Sequence, residues 1–362
     1  MKPLLRRIEN INHSLFDFDG ALRRAKRNAQ RMAGVVGLEN TGRRARMLIA
    51  HRRERCLAVD EFVRPVELPR FIGGSTGRSG TRWLVRLLKA QYHSQPVIMD
   101  EVGIFVLSLI REAPYEYYQL GTDDSVEKRA YYLDYFLRQV HRYAFKRRNM
   151  YGSGMRGLID YVPRRSIVEA GKALKADLPL LSDLSGITKR FGDFYLHLLN
   201  CHAAIIHGSA SIWVNKEPPY GRHADELLRM VPHARLVILV RDGRATALSM
   251  YKRRWMSSVR ACMDRWGEFT RMTAEALDRT PPDQVLVLSY SQLVQNFEEN
   301  LSRIHAFFDL PAPDFDGLRN NPDKTLLPQT EPLDRWKKEI DKPDIEYFDR
   351  AYGSLMEAFG LS

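Results

Sequence analysis

Phe71-Ile72-Gly73-Gly74-Ser75-Thr76-Gly77-Arg78-Ser79-Gly80-Thr81-Arg82-Trp83-Leu84-Val85-Arg86-Leu87-Leu88 runs from a short apolar stretch through a glycine-rich turn into an apolar periodic segment. The spacing predicts strand, loop, helix. Glycine lets a backbone approach an anion closely, and a helix start adds unbonded N–H groups and the positive end of a dipole. Arg78, Ser79, Thr81 and Arg82 put hydroxyl donors and charge at the same place. The stretch reads as a cradle for a phosphate-bearing nucleotide; the plain alternative is a glycine-rich turn that binds nothing. It is not an ATPase loop. In the pattern G-x-x-x-x-G-K-[ST], a hydroxyl at Thr81 would put Gly80 at the lysine position and Ser79 at the glycine. That weakens a phosphoryl-transfer reading.

A second stretch, Ala234-Arg235-Leu236-Val237-Ile238-Leu239-Val240-Arg241-Asp242-Gly243-Arg244-Ala245-Thr246-Ala247-Leu248-Ser249-Met250-Tyr251, repeats the pattern. The unbroken apolar run reads as a buried parallel strand. Asp242-Gly243 is a turn, and Ala245, Leu248 and Tyr251 begin a helix. Arg241 leaves the carboxyl end of the strand, where open α/β sheets bind ligands. With Ser249 it suits a dianionic phosphate, although an arginine at a strand end is often only solvated.

Together these segments resemble the PAPS-dependent sulfotransferases, which transfer a sulfuryl group from 3′-phosphoadenosine 5′-phosphosulfate (PAPS). G-x-x-x-R-S-G-T followed by a Trp-Leu helix is similar to the family's 5′-phosphosulfate loop. Arg241 and Ser249 match its 3′-phosphate pair, an Arg after a strand and a Ser eight residues later. Asn215-Lys216-Glu217-Pro218 resembles the Asn-Lys-Asp-Pro segment of tyrosylprotein sulfotransferases, with Glu217 in place of Asp. Arg78 also lies closer to that tyrosylprotein and carbohydrate-type branch than to small-phenol enzymes, which carry Lys there. The resemblance implies an α/β fold: a P-loop-like parallel sheet flanked by helices, with a helical acceptor-recognition insertion at about 102–205. It implies Lys216 at the leaving oxygen or sulfuryl group, and Glu101 as the base, with Asp100 as its rival. Arg78, Ser79, Gly80, Thr81 and Arg82 would hold the 5′-phosphosulfate, Arg241 and Ser249 the 3′-phosphate, and Tyr290, in Tyr-x-x-Leu, the adenine. The product would be 3′-phosphoadenosine 5′-phosphate, with no metal required. The chain departs from the family where Arg82 replaces a second threonine and Gly77 a common proline.

The rest of the chain bounds this reading. Its 362 residues, 44% hydrophobic, suffice for one large domain with an extension. Three dispersed cysteines imply no disulfide framework. No apolar run reaches the about 18 residues of a membrane span. No signal-peptide core appears either, since Arg6, Arg7 and Glu9 break it early. A soluble, bacterial-type cytoplasmic enzyme is the expectation. The net charge is +12, and residues 1–70 carry 16 Lys/Arg against 8 Asp/Glu. Within them Leu15, Phe18, Leu22, Ala25, Ala29, Met32 and Val36 form one apolar helical stripe. A basic helical extension, 1–66, therefore precedes the domain at 67–362. It is expected to pack on the domain or on a second copy as a homodimer, or to touch an anionic membrane surface peripherally. Nucleic acid ranks last, because no nucleic-acid module accompanies the charge.

Further strands are expected at Pro96–Glu101, Ile212–Lys216 and Val285–Tyr290, and helices at 126–147, 184–207, 256–279 and 293–309. His197 and Cys201 stand one helical turn apart, with His202 and His207 nearby. A metal site is conceivable there, but no second ligand pair follows. A basic carboxy-terminal section offers Lys324, Thr325, Arg335 and Lys337 as cover for the nucleotide. Two other classes stay open: a nucleotide-dependent phosphotransferase, and a non-enzymatic basic protein bound to anionic membrane or nucleic acid. The expected acceptor is a carbohydrate, lipid-linked or tyrosine hydroxyl.

Overall fold

The computed structural model describes residues 68–92, 97–100, 111–120, 126–150, 164–204, 213–329 and 331–361. The basic extension, Glu101, His207 and the glycine-rich stretch Tyr151–Gly157 lie outside the described residues. Strand β1 (Arg70–Gly74) is buried along its whole length. It feeds helix α1 (Thr81–Gln91) and then β2 (Val97–Asp100). Four helices follow: α2 (Ala113–Gln119), α3 (Val126–Met150), α4 (Arg164–Asp177) and α5 (Leu184–His202). The chain returns through β3 (Trp213–Lys216), a 3-10 turn at Pro218–His223, α6 (Ala224–Met230), β4 (Arg235–Val240) and α7 (Gly243–Lys252). After α8 (Val259–Leu277) come β5 (Val285–Ser289), α9 (Tyr290–Gln295), α10 (Phe297–Phe307) and α11 (Phe315–Arg319). The end is helical: α12 (Glu331–Asp334), α13 (Trp336–Glu339) and α14 (Lys342–Ala358).

The strands form one sheet in the order β2-β3-β1-β4-β5, and every pair is parallel. Side chains alternate across a strand, so each apolar run feeds two cores. Phe71, Leu236, Ile238 and Val240 join one core, with the α2–α6 and α8 helices and Phe348 of α14. Ile72, Val214, Val237 and Leu239 join the other, against Leu84, Leu87 and Leu88 of α1 and Ile304 of α10. Leu236 to Val240 are all fully buried, which explains why β4 reads as an unbroken apolar run. Each such side chain contributes roughly 1.5–3 kcal/mol.

This topology places the site. The adjacent strands β1 and β4 send the chain in opposite directions, toward β2 and toward β5, so their carboxyl ends border a topological switch point. The two stretches singled out in the sequence leave the sheet there.

Three helix boundaries differ from expectation. The helix expected at 256–279 begins at Val259, where the Ser258 hydroxyl accepts from the Ala261 N–H at 3.1 Å; Arg254, at φ 56°, turns the chain before it. The helix expected at 184–207 starts behind the Asp183 cap and ends at His202. The helix expected at 293–309 is two helices, α9 and α10, broken at Asn296. Asn300 stitches the break by donating its side-chain amide to Gln292 O at 3.1 Å and Asn296 O at 3.0 Å.

Candidate active site

The loop after β1 is fastened to the neighbouring strand by Ser75 N–H donating to Leu239 O at 3.1 Å. It then turns twice through left-handed backbone, at Arg78 (φ 71°) and Gly80 (φ 102°). Gly80 sits at the cap of α1 and has no side chain to accept from the opening N–H groups. The loop therefore presents donors. The Ser79 hydroxyl is fully buried and finds no hydrogen-bond partner. A buried polar group without a partner costs about 1–3 kcal/mol, so an anion accepting from Ser79 and the helix start would fit this loop.

The second segment meets the first. Arg78 Nε donates to Ser249 Oγ at 3.0 Å, and Arg241 Nη1 reaches Arg78 O at 3.5 Å. Residues more than 160 positions apart in sequence thus share one crevice. Burial lowers the pKa of Arg78, and the charges of Arg253, Arg82 and Arg241 lower it further. Arg241 is lowered mainly by burial, with Arg335 adding to the shift and Tyr290 and Asp242 opposing it. Crowding of guanidiniums in a half-buried crevice is the electrostatic mark of a site for a multiply charged anion.

Aromatic rings bound the crevice. The Tyr290 ring lies 4.8 Å from the Arg241 guanidinium carbon, a cation–π distance. The Trp83 ring meets Tyr290 edge-on at 5.6 Å, and its Nε1–H donates to Leu326 O at 3.0 Å. Burial raises the Tyr290 hydroxyl pKa, so it stays protonated. In the sequence Trp83 reads as an apolar helix position and as part of the Trp-Leu start that follows the loop, not as a ligand-facing ring. Its signal there was an aromatic ring two residues after the hydroxyl of Thr81. Arg82, expected inside the cradle, is exposed on α1, though its charge still reaches Arg78.

Lys216 is the last residue of β3, buried to 1% exposure, and aligns with Ile72 of β1 and Asp100 of β2. Its strand end is set by a buried polar chain. Tyr220 donates its hydroxyl to Asn215 Oδ1 and accepts from Tyr195 at 2.5 Å. Burial raises both phenols, and the charge of the fully buried Glu217 adds to each shift. The Glu217 N–H donates to Ile72 O at 3.0 Å, tying the Asn-Lys-Glu segment to β1. Glu101 lies outside the described residues, and of Asp100 the structure describes only its backbone place at the end of β2.

The four carboxy-terminal candidates separate. Lys324 donates to Arg319 O at 2.7 Å, Thr325 accepts from Arg86 at 2.7 Å, and Lys337 pairs with Asp334 at 2.7 Å. Arg335 pairs with Glu339 at 3.8 Å, and of the four it is the one whose charge reaches Arg241. His197 and Cys201 share α5, and no group of three or more His, Cys, Asp or Glu able to hold a metal occurs among the described residues.

The sequence profile of the Sulfotransferase family matches residues 69–314, a span that holds the loop, the Lys216 strand, the Arg241 segment and Tyr290. The chain belongs to the sulfotransferase family. Curated relatives of this sulfotransferase-family chain include the protein-tyrosine sulfotransferase of Drosophila melanogaster, 29% identical over 36% of this chain and 28% of that protein. Protein-tyrosine sulfotransferase 1 of Danio rerio is likewise 29% identical, over 36% of this chain and 39% of its own length. The match thus spans well under half the length of these relatives. Among solved structures, sulfotransferase STF9 from Mycobacterium avium aligns with a TM-score of 0.42 at 16% identity, covering 87% of this chain and 82% of that one. The sulfotransferase domain of the Synechococcus olefin synthase aligns at 0.41 and 17% identity, over 80% and 96%. No described helix of this family member is long and apolar enough to cross a membrane.

Proposed function

We propose that the chain transfers a sulfuryl group from PAPS to a hydroxyl acceptor. The observation that carries this reading is the convergence of Arg78, Ser249 and Arg241 on one crevice at the β1/β4 switch point. The unpartnered Ser79 hydroxyl and the uncapped start of α1 suit the 5′-phosphosulfate. Arg241, Ser249 and Arg335 suit the 3′-phosphate, which ATP lacks. Tyr290 and Trp83 offer aromatic faces to the base.

When bound, the donor supplies an activated sulfuryl group whose leaving group is a nucleotide 5′-phosphate. The S–O bond to that phosphate breaks as the bond from sulfur to the acceptor oxygen forms. Negative charge grows on the departing phosphate oxygen, and Arg78, Lys216 and the loop N–H groups stabilise it without reorganising. The acceptor proton passes to a base on the opposite side, which we assign to Glu101. Burial holds Lys216 in place, and the Tyr195–Tyr220–Asn215 chain fixes the strand end that carries it.

The relatives' names point to tyrosine as one acceptor class; carbohydrate and lipid-linked hydroxyls are the others. We assign a cytoplasmic location on cysteine usage, Cys201 and Cys262 both being buried thiols outside any disulfide. Incubating the chain with sulfur-labelled donor and a panel of tyrosine peptides, glycans and glycolipids tests the reading. Transfer of label to one class supports it. Release of label only to water, or transfer of phosphate from ATP instead, sinks it. Arg241→Ala should raise the donor KM, while Glu101→Ala should chiefly lower kcat.

A further inference from the structure

Arg244, in the first turn of α7, binds four partners, none of them in the crevice itself. Its Nε and Nη2 straddle the Asp242 carboxylate at 3.2 and 2.8 Å, and its Nη1 reaches Asp349 of α14 at 3.0 Å. The flat guanidinium lies 4.0 Å from the Trp336 ring of α13 and 5.7 Å from the Phe348 ring of α14. Burial lowers its pKa, but the bonds to Asp242 and Asp349 outweigh burial and raise it overall. It is charged at any working pH.

What this side chain ties together is specific. Asp242 follows Arg241 and caps α7, accepting from the Arg244 N–H at 2.7 Å and the Ala245 N–H at 3.2 Å. The Arg241 carbonyl is held from the other side by Trp266 Nε1–H at 3.0 Å, and Trp266 packs on Phe348 at 5.2 Å. Trp336 follows Arg335 directly. One guanidinium therefore joins the turn that follows Arg241 to the carboxy-terminal segment that carries Arg335. Those two arginines repel each other: the charge of Arg335 lowers the pKa of Arg241. A guanidinium in a crowded cationic crevice keeps one pose before any anion arrives only if a scaffold imposes it.

We propose that Arg244 is a positioning residue of the donor site. It clasps the carboxy-terminal helices to the Arg241 turn and so preorganises Arg241 for the 3′-phosphate without touching the nucleotide. This rests on the PAPS reading above. It also separates the role from an ordinary ion pair: Arg244 should govern how strongly a 3′-phosphate is felt, not how well the fold holds.

The readout is a ratio. Calorimetry measures the affinity of the full chain for adenosine 3′,5′-bisphosphate and for adenosine 5′-monophosphate. In Arg244→Gln the bisphosphate should bind about tenfold more weakly, a shift of roughly 1.4 kcal/mol, while the monophosphate affinity stays within about twofold. The preference for the 3′-phosphate thus collapses. Arg244→Lys keeps the charge but loses the two-point grip on Asp242, and should fall between; it also serves if the Gln variant does not fold. An unchanged ratio in a folded variant overturns the proposal, as does an equal loss for both nucleotides. A wild-type chain with no preference for the bisphosphate would sink the PAPS reading itself, and that outcome is distinct from either.

Discussion

Gly80 carries the sharpest consequence of the loop geometry, and replacing it by alanine adds a single methyl group. Its φ of 102° is a left-handed value that an L side chain strains to adopt, at roughly 1–2 kcal/mol. The new Cβ would lie 2.3 Å from Cδ2 and 2.7 Å from Cε2 of Tyr290. Carbon atoms settle about 3.5–4.0 Å apart, so the ring must retreat by more than about 1 Å. That ring cannot move freely. It sits between Arg241, at 4.8 Å, and the edge of Trp83, at 5.6 Å. Losing the first contact alone removes about 0.5–2 kcal/mol. Gly80→Ala should therefore lower stability by about 1.5–4 kcal/mol and weaken adenosine 3′,5′-bisphosphate binding by about 3- to 30-fold. Urea unfolding gives the first quantity and calorimetric titration the second. A folded Gly80→Ala chain that binds the bisphosphate within twofold of wild type would refute the claim that loop, Tyr290 and Arg241 form one site.

Three more expectations follow from single contacts. A Cβ on Gly77 would lie 2.7 Å from two ring atoms of Trp255, so Gly77→Ala should be destabilising alone and nearly neutral with Trp255→Ala, a coupling of about 1 kcal/mol; strict additivity in urea midpoints would contradict it. Ser79→Ala removes a buried hydroxyl that has no partner, so the melting temperature should hold while the donor KM rises about fivefold; a fall in melting temperature with unchanged KM is the opposite result. His305 is buried, its pKa is lowered chiefly by that burial, and its Nδ1–H donates to Pro311 O at 2.6 Å. The fold thus favours the neutral ring, whose stabilisation is complete above the unfolded pKa near 6.5 and is lost as pH falls through the lower folded value. Urea midpoints should drop from pH 7 to pH 5 more steeply in wild type than in His305→Gln, and equal slopes would refute the assignment.

The sheet was legible because its strands are short apolar runs bounded by turn residues, and burial of Leu236–Val240 on both faces leaves no other way to place them. The meeting of Arg78 with Ser249 and Arg241 was legible because parallel sheets bind ligands at strand carboxyl ends, a rule of topology. What escaped is tertiary. The break at Asn296 depends on a side-chain amide reaching back to Gln292, which no periodicity reports. Trp266 of α8 holds the Arg241 carbonyl, a contact between separate segments that the sequence does not announce. Arg335 could not be chosen among four basic or hydroxyl candidates from spacing, because its electrostatic link to Arg241 joins segments far apart in the chain. Arg244 read as one more arginine after a turn, since its four partners come from three separate segments.

The most direct measurement titrates the chain with adenosine 3′,5′-bisphosphate and, separately, with ATP and with duplex DNA. One bisphosphate should bind per chain, at least tenfold more tightly than ATP, and Arg241→Ala should abolish that preference. Equal affinity for ATP, tighter binding of DNA, or a preference that survives Arg241→Ala would contradict a single crevice gripping both ends of one nucleotide.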